Sequence, residues 1–326
     1  MKSELQIGVF GFGVPFGVLS ALGIPVKDVT LFPASAGTSV DRYLEDFMDP
    51  FSVAVLRNLS VGAFNDLSKL VFLRESPGAV HAFHYACELK SRGLLSPGAP
   101  SLFLLSLIPS EEPAALRFNK SELARLEDAV GGEVWTTQEP MPDKFKEFEK
   151  LFRMQTEGRI AGVEAFAARL QISRGGAFPI GTQQTFATDP RPRLALLGAP
   201  LGNATLHGLL GKVGALIFDQ QAADQLMAAR GATLDDALAG QAANPFAARQ
   251  PKPIYLSGLE EILLTQRIDG VFWQVDTHDD LWGWLTLQVF ELCGKLGIDF
   301  TDLGLLPRWP TLKELSEVSK IIGGAA

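Results

Sequence analysis

Short apolar runs alternate with amphipathic stretches along most of this chain, the pattern of buried parallel strands joined by helices. In the N-terminal third, Leu5–Phe10 and Val29–Phe32 read as strands. A helical pattern then runs from Ser39 to Leu59, interrupted by Asp49-Pro50. Lys69–Leu73 is a strand, Gly78–Arg92 a helix and Ser101–Leu105 a further strand. From Glu111 to Leu170 the texture becomes charged and helical, with Phe145, Phe148, Leu151 and Phe152 at helical spacing. Gly175-Gly176 and Asp189-Pro-Arg-Pro192 read as a linker.

The next segment, Arg191–Gln221, is a β-α-β unit. Arg193–Leu197 is apolar, Gly198–Gly202 turns the chain, Asn203 caps a helix closed by Gly211 and Gly214, and Ala215–Phe218 ends at Asp219. Ala222–Pro253 reads as a peripheral helix and loop. Leu256–Arg267, Leu281–Leu296 and Pro310–Ile322 follow as helices, with Ile268–Val275 and Ile298–Thr301 as strands. This order predicts an α/β protein: two Rossmann-like parallel-sheet domains with a helical connecting segment and an interdomain cleft. The boundaries are residues 1–110 for the N-terminal α/β domain, 111–190 for the helical segment and linker, and 191–326 for the C-terminal α/β domain. Ligands of such sheets sit at the carboxyl ends of the strands.

Composition narrows the function classes. The chain has 326 residues, too many for one core of ordinary size. The net charge is −8 with no basic block, which argues against nucleic acid as a partner. No apolar run approaches the roughly 18 residues of a membrane span. The start has no signal-peptide pattern, so the expected location is cytoplasmic. Two cysteines, Cys87 and Cys293, make neither a disulfide framework nor a cysteine-rich metal site.

The candidate chemistry lies where strands or turns meet helices. Asp49-Pro50 and Ser76-Pro77 each pair an N-cap residue with proline in the first turn, and Thr277 or Asp279 is placed similarly before Leu281. Three such N-termini converging at one end of the sheets would favour an anion; plain capping accounts for the same residues. Asp49, Glu75, Ser76, Thr277, His278 and Asp279 are therefore the candidate cleft residues. His278, beside Asp276, Asp279 and Asp280, has the chemistry for metal ligation or for acid–base work. A solvated loop whose acids favour the following helix explains the cluster equally well, and no metal is assigned. His81 and His84, with Phe83 and Tyr85 around them, read as packing residues, and His207 as a surface or mouth residue. The glycines of GVFGFGVPFG lack the order of a phosphate loop. Trp282 and Trp284 cannot share one helix face, so at least one belongs near the surface or at an interface. With five tryptophans and 22 phenylalanines, this points to a dimer, homo- or heteromeric, with an apolar interface outside the cleft. Coverage of that surface by Glu111–Leu170 is the opposing reading.

Three segments carry a resemblance: VPFGVLSALGIPVKDV (Val14–Val29), RLALLGAPLGNATLHGLLGKVGALIFDQ, and RIDGVFWQVDTHDDLWGW with LGIDFTDL. In order and along nearly the whole chain, these resemble the subunits of 2-hydroxyacyl-CoA dehydratases and benzoyl-CoA reductases. The resemblance implies two α/β domains, an acyl-CoA ligand, subunits that work in pairs, and in cluster-bearing subunits a [4Fe–4S] cluster held by three cysteines. At the matching positions this chain has Asp49 for a Cys-Pro, Ser76 for a Cys-Asp-Gly, and Thr277 or His278 for the late cysteine. The expected cofactor set is therefore empty, with the cluster absent. The expected role is a cluster-less supporting subunit of a heteromeric acyl-CoA dehydratase or reductase complex, paired with a cysteine-bearing paralogue. The alternative is a stand-alone enzyme or binding protein acting on an acyl-CoA or small acid in the interdomain cleft.

Overall fold

The computed structural model describes residues 6–131, 144–176, 191–221, 233–247, 250–279 and 281–324. The protein is α/β, with two four-stranded, all-parallel sheets. It divides into two compact units. The first holds β1 (Ile7–Phe10), α1 (Phe16–Ala21), β2 (Val26–Asp28), α2 (Pro50–Ser60), β3 (Lys69–Leu73), α3 (Pro77–Ser91), β4 (Ser101–Leu105) and α4 (Pro113–Val130). A later helix, α8 (Leu234–Ala243), belongs to it as well. The second unit holds α5 (Lys144–Thr156), α6 (Gly162–Ser173), β5 (Arg193–Gly198), α7 (Thr205–Val213) and β6 (Ala215–Asp219). It is completed by α9 (Lys252–Thr265), β7 (Gly270–Val275), α10 (Thr286–Leu296), β8 (Asp299–Leu305) and α11 (Ser316–Gly324).

Both sheets have the same strand order. It is β2-β1-β3-β4 in the first unit and β6-β5-β7-β8 in the second. Each chain segment starts on an inner strand, crosses to one edge, then returns to the other side of its starting strand. That reversal makes β1/β3 and β5/β7 the switch points, where the loops leaving the strands diverge and leave room for a ligand. The strands beside them are buried on both faces: β1 and β3 throughout, and β5 and β7 except for one end residue each. This is why they read as apolar runs and not as alternating patterns. In the second unit one core layer is made by Leu194, Leu196, Leu206, Leu210, Phe272, Leu303, Leu315 and Ile322. On the other face Trp273 is fully buried, and its indole N–H donates to Thr286 Oγ1 at 2.9 Å.

The structure shifts several expected boundaries. The second strand is Val26–Asp28, ahead of the apolar run Val29–Phe32. The Asp28 carboxylate accepts from Thr30 N at 2.8 Å and turns the chain away from the sheet. The helix expected from Ser39 starts at Pro50, because Asp49 caps it; the stretch before it holds only a short 3-10 turn, Asp41–Tyr43. Before α10, residues Trp282–Leu285 form a 3-10 turn, and the last helix begins at Ser316 rather than Pro310. Asp280, the Asp189-Pro190 part of the expected linker, and residues 222–232 and 248–249 of the alanine-rich stretch after Gln221 lie outside the described residues. Among the described residues no helix is long and apolar enough to cross a membrane.

Candidate functional site

In the first unit the carboxyl ends of β1 and β3 hold a small cleft lined by Phe12, Leu73, Arg74, Glu75, Leu107 and Gln241, among others. Its cavity volume is about 30 Å³, far below the roughly 300–1,000 Å³ of a pocket that encloses a drug-sized ligand. Glu75 sits at the switch point. One of its oxygens accepts from Phe12 N at 3.3 Å and from Ser76 Oγ at 3.0 Å. Gly11 must pass close to Leu73 here; its φ of 132° and the 2.8 Å that would separate a Cβ from Leu73 Cβ both exclude a side chain. Thr30 Oγ1 locks the same turn by accepting from Gly11 N and donating to Gly11 O.

Asp49 and Ser76 are N-caps. Asp49 Oδ1 accepts from Phe51 N at 2.8 Å and Ser52 N at 3.3 Å, and Ser76 Oγ accepts from Ala79 N at 3.2 Å. Ser52 Oγ donates to Gly78 O at 2.9 Å, which ties the starts of α2 and α3 together. The first unit thus brings Asp49, Glu75 and Ser76 into one neighbourhood. Asp49→Ala should cost about 1 kcal/mol, the usual worth of such a cap, read as a lower urea midpoint at unchanged m-value. An unchanged midpoint would mean that water replaces the cap without loss.

In the second unit Thr277, His278 and Asp279 follow β7. Asp276 is almost fully buried, and its Oδ1 is the hub: it accepts from His278 N at 2.7 Å, lies 3.1 Å from His278 Nδ1 and 3.5 Å from Arg308 Nε. Thr277 Oγ1 is also 3.1 Å from His278 Nδ1. Asp279 accepts from Leu281 N and Gly283 N, capping the 3-10 turn. Burial raises its carboxyl above the usual range, against the opposing pull of those backbone N–H groups and of Arg308. Arg308 also donates to Pro200 O at 3.2 Å and its carbonyl accepts from Gly202 N at 2.6 Å, pinning the loop after β5 to the loop after β8.

A second buried cluster was not expected. Asp219, ending β6, takes His207 Nε2 at 3.0 Å, and Arg169 Nη1 lies 3.7 Å from the same oxygen. Phe166 packs against the His207 ring and beneath the Arg169 guanidinium. His207 is therefore not a surface or mouth residue; it is completely buried. The available signal was an acid ending each buried run, LIFD and WQVD. Nothing in the sequence marked Arg169 or Arg308 as its partner.

The remaining residues fall as follows. His81 and His84 are exposed on α3, and the His84 ring stands edge-on to Phe83 with centroids 5.6 Å apart. Trp282 packs on Tyr255 and Trp273, while Trp284 is 82% exposed. Cys87 is exposed on α3; Cys293 is buried on α10, where desolvation pushes its thiol to about 11. Cluster iron is held by thiolates. The positions matched to cluster cysteines offer Asp49 and Ser76 oxygens already used in capping, plus a threonine and a histidine. This donor set does not fit a [4Fe–4S] cluster.

No family model matches the chain, and no curated protein matches it. Among solved structures it is similar to a mutant of the laminin-binding adhesin Lmb from Streptococcus agalactiae, at 10% identity over 98% of each chain with a TM-score of 0.23. It is also similar to a metal-free mutant of a periplasmic metal binding protein from Candidatus Liberibacter asiaticus, at 9% identity over 99% of this chain and 100% of that one, with a TM-score of 0.24. At such scores neither ligand nor partner carries over to this chain.

Proposed function

We propose that this chain is a divergent, cluster-less subunit of the 2-hydroxyacyl-CoA dehydratase and benzoyl-CoA reductase type, supporting a cysteine-bearing partner that carries the electron chemistry. One observation carries the reading. Asp49, Ser76 and Thr277–His278, the positions matched to cluster cysteines, all lie where a strand or turn gives way to a helix or helical turn, and none of them is a thiol. Two parallel sheets of identical order support it further, since the resemblance implies paired α/β domains. The exposed Trp284, with Leu287 and Phe290 on α10, offers apolar surface for a partner.

A second reading is a stand-alone enzyme or binding protein for an acyl-CoA or small acid. The opening at the β1/β3 switch point favours it, because Arg74, Glu75 and Gln241 set polar side chains among the apolar residues of its lining.

Affinity purification of the tagged chain from its native host, under anaerobic conditions, separates the two. A cysteine-bearing chain should co-purify with iron and acid-labile sulfide, whereas this chain purified alone should hold neither. A clean monomer by light scattering at micromolar concentration, with no co-purifying chain, would remove the supporting-subunit reading and leave the stand-alone one.

A further inference from the structure

Two histidines of the second unit contact buried aspartates, and the two arrangements differ in one respect. His207 uses Nε2 for Asp219 and is sealed in the core, so neither ring nitrogen reaches solvent. His278 turns Nδ1 to Asp276 and keeps 26% of its side chain exposed. Among the described residues its Nε2 has no hydrogen-bond partner, and it is not one of the buried unsatisfied atoms, so it lies on the open side of the ring at the carboxyl end of β7.

We propose that His278 is a general base, positioned by Asp276, that takes a proton from a water or from the hydroxyl of a ligand at this sheet end. Asp276 is an acceptor when ionised, so the Nδ1 contact places the imidazole proton on Nδ1 and leaves the lone pair on Nε2. In the step, the O–H bond of the water or hydroxyl breaks, an N–H bond forms at Nε2, and the electron pair stays on oxygen. The imidazolium that results faces the Asp276 carboxylate. Asp276 is placed for this: it is 3% exposed, its Oδ1 is shared by the His278 N–H, the His278 ring and Arg308, and its buried Oδ2 has no hydrogen-bond partner among the described residues. The other groups around the ring are the Thr277 hydroxyl, which shares the Nδ1 side, and Asp279, whose carboxylate is occupied by backbone N–H groups. A loop that needed only a turn would be served by the His278 N to Asp276 Oδ1 bond alone. Engagement of the ring is what the turn does not require.

The role is independent of any partner subunit, and the test uses the full chain with diethylpyrocarbonate as the probe. Site-resolved mass spectrometry at neutral pH follows carbethoxylation of all four histidines. His81 and His84 serve as exposed references and His207 as the buried control. His278 should react several-fold faster than His81 and His84 in spite of its lower exposure. Asp276→Asn, which keeps an acceptor but removes the charge, should bring it down to the reference rate. Equal rates for His278, His81 and His84 in the wild type, or no slowing in Asp276→Asn, would overturn the proposal. Should Asp276→Asn fail to fold, nitrogen NMR of the wild type decides. An Nδ1–H tautomer at His278 supports the assignment, and an Nε2–H tautomer ends it.

Discussion

Asp219→Leu should lower stability by about 3–5 kcal/mol, the usual cost of breaking a buried charge pair from one side. The substitution leaves the Arg169 guanidinium buried, with neither Nη1 nor Nη2 hydrogen-bonded among the described residues and the Phe166 ring beneath it. It also removes the Nε2 partner of His207. Arg169→Met combined with Asp219→Leu should recover a large part of the loss, because an apolar pair of similar volume carries no desolvation penalty. The same site sets an acid limit. Burial raises the Asp219 carboxyl, but the His207 hydrogen bond, the charges of His207 and Arg169, and the Gln221 N–H outweigh it, so the group ends below its ordinary value. A carboxyl depressed in the folded state contributes stability that is present above its unfolded value and lost as pH falls through the folded one. Urea midpoints should therefore fall on acidification below about pH 4, and this portion of the fall should be absent in the double variant. A wild-type-like midpoint for Asp219→Leu would refute the account.

Gly198→Ala should be nearly as damaging, at about 3 kcal/mol or more, because strain and overlap act together. Gly198 has a φ of 103°, outside the range side chains adopt readily, and a Cβ there would overlap the Gln274 carbonyl oxygen. That oxygen already accepts from Ala199 N at 3.0 Å where β5 leaves the sheet beside β7. Relief would require breaking the β5/β7 switch point, since the obstacle is backbone. Gly211→Ala supplies the contrast. Gly211 lies in α7, its φ is ordinary, and nothing stands within 4 Å of the new methyl. It should stabilise by about 0.5–1 kcal/mol. Thermal melts of the two variants, read against wild type, should move in opposite directions; movement in the same direction would show that the backbone argument fails.

What the sequence by itself determined is local. Lys69–Leu73 and Ala215–Asp219 are strands within a residue of their expected ends, because a strand buried on both faces must be apolar throughout; Ser101–Leu105 also forms as expected, as a partly exposed edge strand. Asp49-Pro50 and Ser76-Pro77 start helices because an N-cap oxygen and a proline act within one turn. The same locality explains the errors. Val29–Phe32 is as apolar as a strand, yet pairing with β1 ends at Asp28, with a last bond from Val29 N to Val9 O, and the Asp28–Thr30 turn decides the boundary.

The charged groups were decided by tertiary structure. Arg169, His207 and Asp219 come from α6, α7 and the end of β6, and Arg308 reaches Asp276 from the loop after β8. Each aspartate was visible as the acid closing an apolar run. Which base it would meet depended on strand order and on which helix covers which edge, and neither is encoded at short range. His207 and His278 show the consequence: two histidines beside aspartates, one sealed and one open. Burial, which only the packed structure sets, separates a structural ring from a reactive one.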